Sequence, residues 1–556
     1  MTARPAREVL IDVLRAHGTG YLFGNPGSTE LPLVDELARH PDLSYIHALQ
    51  ENTAVGAADG YAQATGRPAV LSLHTFGGLG GAMGNLTNAW TTRTPLIVTA
   101  GQQRRSELPR EPLLSGPLTA LAAPVTKWAH ELRGPDELAL IFDRAFAEAM
   151  NPPTGPVFVS IPIDVLDAPT TQEARPPAQL CPAGPAGRLD DMAALLAEAA
   201  RPAQAAPGGV AIVAGEAADR AAEPLARLAE TLGAPVYGAG FCPRNPFPST
   251  HPAWAGYLTL DRTAVGATLG RYGCVLVVGA QAFLLYDTGS GAVLPGHVRL
   301  LHLDSDPARL GRNEPTSLGA AGDITASVRM LTGHLAGRVD RAAAATRLEA
   351  HRSARAAHLD DLRAIALARY DRGPIDPLAA AHAVLEALPP GGIVVDEVAT
   401  ATGPLRELHR SDTSGRYFFC RGAALGWAMP AALGVQLANP DAPVLCVVGD
   451  GAAAYSIQAL WTAAHHRIPV VYVVLNDRQY QILRDGLRHR GGASVASERF
   501  VAMDLDDPAP DYVRIAEGFG VEAERVSRAE ELAEAVKRRL GERRPALIDA
   551  QVQGSR

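Results

Sequence analysis

Residues 445 to 455 read LCVVGDGAAAY, an apolar run stopped by Gly-Asp-Gly. Asp-Gly between two strands would make a hairpin, but no second strand follows. From Ser456 the chain continues SIQALWTAAHHR, with Ile457, Leu460, Trp461 and Ala464 at helical spacing, and Pro469 opens another apolar run, VVYVVLND. The unit is strand, Gly-Asp-Gly, helix, strand, so the turn falls at the carboxyl edge of a parallel sheet, where α/β proteins bind ligands. The glycines allow close backbone approach, and a helix amino terminus favours an anion. Asp450 would repel a phosphate unless a cation lay between them. A diphosphate bridged to the protein by Mg2+ meets all three conditions.

The same alternation runs along the whole chain. The strands GYLFG, AVLSLH, LIVTAG and VFVSIP precede a Pro- and Ala-rich stretch at 167–187 that reads as a linker. GVAIVAG, PVYG, CVLVVGA and VRLLHLD make a middle block, followed by a charged, Ala-rich helical segment at 337–370. GIVVDE, VLCVVGD, VVYVVLND and ALIDAQV make the last block. The expected fold class is therefore α/β: three open, mostly parallel α/β domains over 1–170, 188–336 and 371–556. A length of 556 residues with 47% hydrophobic content supports several large cores. No repeat is visible residue by residue, so kinship between the blocks is one of architecture.

A formal net charge of −8 argues against nucleic acid or an anionic membrane as partner. Five cysteines (Cys181, Cys242, Cys274, Cys420, Cys446) are scattered without metal spacing, as in a reducing compartment without a disulfide framework. MTARPAREVLIDVL reads as an amphipathic helix rather than a signal sequence, and no apolar run approaches membrane-spanning length. A soluble, cytoplasmic protein is expected.

Twenty-four residues separate Gly451 from Asn476, and Asp477 follows at once. A carboxylate after one strand and a polar pair after the next can chelate one cation from adjacent turns. At this spacing the Gly-Asp-Gly and Asn-Asp elements resemble the diphosphate-binding motif of thiamin-diphosphate (ThDP) enzymes, with Asp477 in place of a second Asn. The amino-terminal block adds GNPGSTE at 24–30 and LQENTAVGAADGY at 49–61. In that family a buried Glu meets the cofactor's aminopyrimidine ring, and Glu51 stands at its position. Burial would raise its pKa and demand a ring-nitrogen partner. The shared proton favours the imino tautomer that deprotonates the thiazolium C2. GNPGS, ALQE, GYAQA, LSLH, NAW, PLIVTAGQQ, YFFC, ALGWAMPAALGVQLA and SIQALWTAA extend the likeness. Together they are similar to the benzoylformate decarboxylases of that family.

The resemblance implies ThDP- and Mg2+-dependent, non-oxidative decarboxylation of a 2-oxo acid through a C2-bound enamine. Carboligation with an aldehyde or second carbonyl is the alternative, and a non-catalytic cofactor-binding relative a remote one. It implies Asp450, Asp477 and Gln479 at the metal. Thr400, Ala423, Gly449, Gly451, Ala452, Tyr480, Gln481 and Ile482 join Glu51 around the cofactor, and Leu425 wedges between its two rings. Ser28 would bind the substrate carboxylate and His74 relay protons, with Phe419 and Ile482 on the pocket wall. Taken singly, Ser28 could cap the helix at 31–38, His74 could be a strand-end histidine and Leu425 core.

The departures concern the substrate. Tyr286 stands where these decarboxylases carry a second histidine, and a phenol titrating near about 10 is a poorer proton shuttle. Gly486 replaces an aromatic wall residue. Arg421 either opens the pocket to a polar or anionic tail or forms a surface or interdomain ion pair. Ala399 and Ala452 replace hydroxyl residues. Glu51 and Asp450 lie in different blocks and are expected to meet across a subunit interface of a homo-oligomer, by resemblance a tetramer. Two other patterns carry less. GGLGGAMG at 77–84 imitates a nucleotide-binding glycine loop but lacks the acidic residue downstream. His465-His466 lacks a third ligand and suits a solvated helix end.

Overall fold

The segment Val470–Asn476 is buried at every position, and its unbroken apolar run is what a strand covered on both faces by helices requires. It is one of eighteen strands that the computed structural model arranges in three six-stranded sheets, each parallel throughout. The structure describes residues 3–179, 183–201, 209–286 and 289–554. Cys181 and part of the linker expected at 167–187 lie outside them.

The first sheet contains Tyr21–Gly24, Ser44–His47, Ala69–Leu73, Leu96–Gln102, Ala129–Glu131 and Val157–Pro162. The last contains Ile393–Glu397, Tyr417–Phe419, Val444–Gly449, Val470–Asn476, Glu522–Val526 and Ala546–Gln551. With the strands of each sheet counted along the chain, both have the order 2-1-3-4-6-5. The middle sheet, Val210–Ala214 to Leu318–Ala321, runs 3-2-1-4-5-6. The expected kinship of architecture therefore holds most closely between the first and last domains. Arg4–Pro5 and Pro169–Thr170 form a separate antiparallel pair. The charged segment after the middle sheet is the helix Arg341–Leu367.

One core joins the first and last domains. Helix Glu51–Thr65 crosses helix Ala428–Ala438 so closely that a Cβ at Gly60 would stand 2.2 Å from the Ala431 carbonyl oxygen. Glycine is required there by contact. In the last sheet the chain leaves its first strand to one side and returns on the other, so the crevice between Ile393–Glu397 and Val444–Gly449 is the switch point where such sheets hold ligands.

Two local expectations change. The Gly-Asp-Gly turn is tighter than the sequence suggests: a short helix, Asp450–Ser456, begins at the aspartate itself, with extended Gly449 before it, and a second helix covers Ala459–His466. The glycine-rich stretch at 77–84 is no loop; it lies inside helix Thr75–Thr92.

Candidate active site

At the switch point of the last sheet lies a cavity of about 700 Å3. Gly449, Asp450, Gly451 and Ala452 form one side, and Asp477, Gln479, Tyr480, Gln481 and Ile482 the other. Thr400, Phe419, Ala423, Leu425 and Tyr286, five more of the predicted residues, stand on its wall. Its chemistry is lopsided. Five acidic residues, Asp376, Glu397, Asp450, Asp477 and Asp485, line it, and among the described residues no Lys, Arg or His does.

The Asp450 Oδ1 accepts the Gly451 N–H and its Oδ2 accepts the Arg478 N–H, both at 2.8 Å. Even so, burial and then the Asp477 charge push the Asp450 carboxyl up to about 7. Burial raises Asp477 to about 6. Two carboxylates destabilised in this way are the donor set that a hard divalent cation would relieve. Among the described residues no cluster of three His, Cys, Asp or Glu side chains forms a closed metal cage. A cation here would therefore take its remaining oxygens from backbone, Gln479 and ligand. A diphosphate fits beside these acids only with such a cation. Asn476 is not part of the set: its Nδ2 donates to Asp549 at 2.9 Å.

Glu397 is a site residue that sequence reasoning missed. Its carboxylate accepts the N–H groups of Gly426 (3.0 Å), Trp427 (3.0 Å) and Ala428 (2.9 Å), and burial still raises it to about 7. It holds the backbone just after Leu425, whose side chain is 40% exposed. At the mouth of the cavity Phe241, Tyr286 and Phe419 make an aromatic corner, with ring centroids 6.0 Å (Phe241–Tyr286) and 4.9 Å (Phe241–Phe419) apart. Phe241, also missed, comes from the middle domain with a left-handed φ of 50°.

The first-domain residues form a separate group, and Ser28, Glu51 and His74 do not line this cavity. Ser28 is exposed and opens the turn Ser28–Glu30. It does not cap the following helix Leu31–Leu37, whose cap position is Glu30. His74 ends the strand Ala69–Leu73 and is gripped by a third missed residue. Glu30, 4% exposed, meets the His74 Nδ1 at 2.8 Å and also accepts the N–H groups of Gly27 (3.1 Å) and Gly101 (2.9 Å). Glu51 is half-buried within one chain rather than buried, because Gly78 and Gly81 face its carboxylate and leave it uncovered. The Asn25 Nδ2 lies 3.4 Å from it.

Three further expectations are corrected or decided. Arg421 does not face the pocket. It is 8% exposed and pairs with the buried Glu216 of the middle domain, which also takes Arg309 at 2.7 Å. Burial opposes the Glu216 charge, but the two guanidiniums hold its carboxyl well below the usual range. Among the described residues the cavity thus offers no cation for an anionic substrate tail. A Cβ at Gly486 would meet nothing within 4 Å, and Asp485 occupies the wall beside it. His465 is exposed, as a solvated helix end implies, but His466 is half-buried, and its Nε2 accepts the His47 N–H at 2.9 Å.

Comparison with known proteins identifies the domains. The amino-terminal thiamine pyrophosphate (ThDP) binding domain matches residues 4–121, the central domain of these enzymes 189–331, and their carboxy-terminal ThDP-binding domain 402–550. The chain belongs to the thiamine pyrophosphate enzymes. This thiamine pyrophosphate enzyme is 34% identical to a benzoylformate decarboxylase of Pseudomonas aeruginosa over 547 residues, 98% of each chain. It is 28% identical to a putative acetolactate synthase large subunit of Mycobacterium tuberculosis, again over 98% of each. A solved 4-hydroxybenzoylformate decarboxylase of Rhodococcus jostii RHA1 superposes with a TM-score of 0.85 at 30% identity, over 99% of this chain and 100% of that one. No helix among the described residues is long and apolar enough to cross a membrane.

Proposed function

We propose that this enzyme uses ThDP and Mg2+ to decarboxylate a 2-oxo acid without oxidation. The observation that carries the reading is the Asp450–Asp477 pair: one buried and one half-buried carboxylate, both destabilised, in a cavity lined by no basic side chain among the described residues. When bound, the cofactor supplies a nucleophilic carbon and an electron sink for the departing CO2. Asp450, Asp477 and Gln479 hold the metal. The backbone around Gly449–Ala452, with Thr400, Ala423, Tyr480, Gln481 and Ile482, would cradle the cofactor, and Leu425 would pack against it. Glu51 shares a proton with the cofactor's pyrimidine nitrogen. Ser28 orients the substrate carboxylate. His74, with Nδ1 held by Glu30, keeps Nε2 for proton transfer at the reacting carbon.

Glu51 and Asp450 serve one site only if two chains supply them, so the active unit is at least a homodimer and, by resemblance, a tetramer. Leu49, Phe76, Trp90 and Leu114 of the first domain are exposed, as an interface would use them. The domains are taken as 1–170, 188–336 and 371–556, and the protein as cytoplasmic.

A second reading, ligation of the acyl group to an aldehyde, is favoured by Tyr286, 80% exposed at the cavity mouth. The deciding test incubates the ThDP- and Mg2+-loaded protein with a panel of 2-oxo acids, with and without aldehydes, and measures CO2 and products. CO2 and free aldehyde are expected. Absence of CO2 from every acid defeats the reading. Glu51→Gln is expected to bind ThDP but to exchange the C2 proton far more slowly in D2O.

A further inference from the structure

Leu425 is presented by a backbone that the first domain holds. Its neighbours depart from ordinary geometry, with φ of +57° at Ala423 and +90° at Gly426, so the loop needs external support. Glu397 supplies it on the N–H side, at residues 426–428. On the other side stand two asparagines of helix Thr75–Thr92, 0% and 1% exposed. The Asn88 amide reads both groups of one residue: its Nδ2 donates to the Ala424 carbonyl at 2.8 Å, and its Oδ1 accepts the Ala424 N–H at 3.1 Å. Asn88 Nδ2 also reaches the Asn85 Oδ1 at 2.8 Å, and Asn85 Nδ2 lies 3.3 Å from the Gly426 carbonyl. Both peptide neighbours of Leu425 are thereby fixed.

The chain of amides does not stop there. Asn85 donates its backbone N–H to the Asn52 Oδ1 at 2.6 Å and its Nδ2 to the Asn52 carbonyl at 2.7 Å. Asn52 adjoins Glu51 in the first turn of helix Glu51–Thr65. Close approach is built in: a Cβ at Gly422 would meet the Asn88 Oδ1 at 2.3 Å, and one at Gly56 the Asn85 Nδ2 at 2.9 Å. A neutral amide is the side chain that can donate and accept together without a buried charge.

We infer that Asn52, Asn85 and Asn88 form a positioning relay that sets Leu425 in register with the helix start carrying Glu51. The inference rests on the ThDP reading, in which Leu425 supports the cofactor and Glu51 activates it. Within one chain these two residues belong to different sites, so the relay ties the geometry of each site to that of its neighbour.

The test is a double-mutant cycle of Asn88→Ala and Leu425→Ala, read by C2 hydrogen–deuterium exchange of bound ThDP without substrate, by ThDP calorimetry and by melting of the cofactor-free protein. Asn88→Ala is expected to slow exchange about tenfold to a hundredfold while ThDP affinity stays within about threefold. Leu425→Ala is expected to slow it similarly, and the double variant no further than the slower single one. Asn88→Ser, which keeps one polar contact, is expected between wild type and Asn88→Ala, and it replaces that variant in the cycle if Asn88→Ala does not fold. Wild-type exchange in the folded Asn88 variant, or losses that multiply in the double variant, overturn the relay alone. Wild-type exchange in Leu425→Ala overturns the cofactor role of that loop and the relay with it.

Discussion

The His74 imidazole meets the Glu30 carboxylate at 2.8 Å, and Gly27 packs so tightly beside the ring that a Cβ there would stand 2.0 Å from Nδ1. A carboxylate at Nδ1 fixes the tautomer, which in the proposed function leaves Nε2 for proton transfer. Glu30→Gln is expected to lower kcat roughly tenfold to a hundredfold, and His74→Ala by about 10² or more, with ThDP affinity unchanged in both. Steady-state kinetics beside cofactor calorimetry checks this. Equal kcat in Glu30→Gln would mean that the pair is only structural.

The acidic cavity leads us to expect that cofactor retention depends on metal. Dialysis against EDTA is expected to release ThDP, and Mg2+ to restore both binding and activity. Asp450→Ala is expected to lose ThDP affinity, because Asp477 alone cannot hold the cation that offsets the diphosphate. Calorimetry with the metal-free protein decides it: unchanged ThDP affinity would refute a metal bridge.

In the second reading, ligation, Tyr286 is expected to govern the fate of the acyl group. A neutral phenol delivers protons slowly near neutrality, so an added aldehyde competes well for the reacting carbon. Tyr286→His is expected to raise the ratio of free aldehyde to acyloin, measured by chromatography with one 2-oxo acid and excess benzaldehyde. Ile482→Ala, which removes volume from the wall, is expected to admit bulkier 2-oxo acids. An unaltered product ratio in Tyr286→His would leave residue 286 without control of partitioning.

His409 couples stability to acidity. Burial drives its imidazole down to about 4, and its ring lies against Tyr417 with centroids 5.1 Å apart. The unfolded chain binds this proton near about 6.5, where the folded chain does not. The contribution is therefore fully present above about 6.5 and is lost as pH falls toward about 4. Between pH 7 and 5 it amounts to roughly 2 kcal/mol. His409→Leu is expected to show a pH slope shallower by about that amount in denaturant unfolding at the two pH values. An identical slope would assign the acid sensitivity to other groups.

What could be read from the sequence was what is local. Gly-Asp-Gly, the apolar runs and the spacing to Asp477 each lie within one strand–helix–strand unit, and the structure keeps them together. Glu30 closes the GNPGSTE motif yet shows no role there, because its partner His74 stands 44 residues away and only the sheet brings the two together. Glu397 looks like the end of one more apolar strand, since its partners are backbone N–H groups that carry no sequence signature. Phe241 reaches the cavity from another domain. Arg421 could not be assigned because its counter-charge, Glu216, lies in the middle domain, and one sequence does not reveal such long-range pairs. The topology shared by the first and last sheets was invisible for a related reason: strand order is a property of crossings.

The Arg421–Glu216 contact also bears on how the enzyme could be rebuilt. Engineers who recombine modules from relatives would treat the middle domain as an interchangeable cassette, with seams near both of its ends. Such a transplant would keep a sequestered guanidinium and discard its acid, at about 3–5 kcal/mol for an uncompensated buried charge. The heritable unit is thus larger than the domain. A graft that carries residues 216 and 309 as a matched set for Arg421 should survive where a domain chosen for overall similarity alone would not.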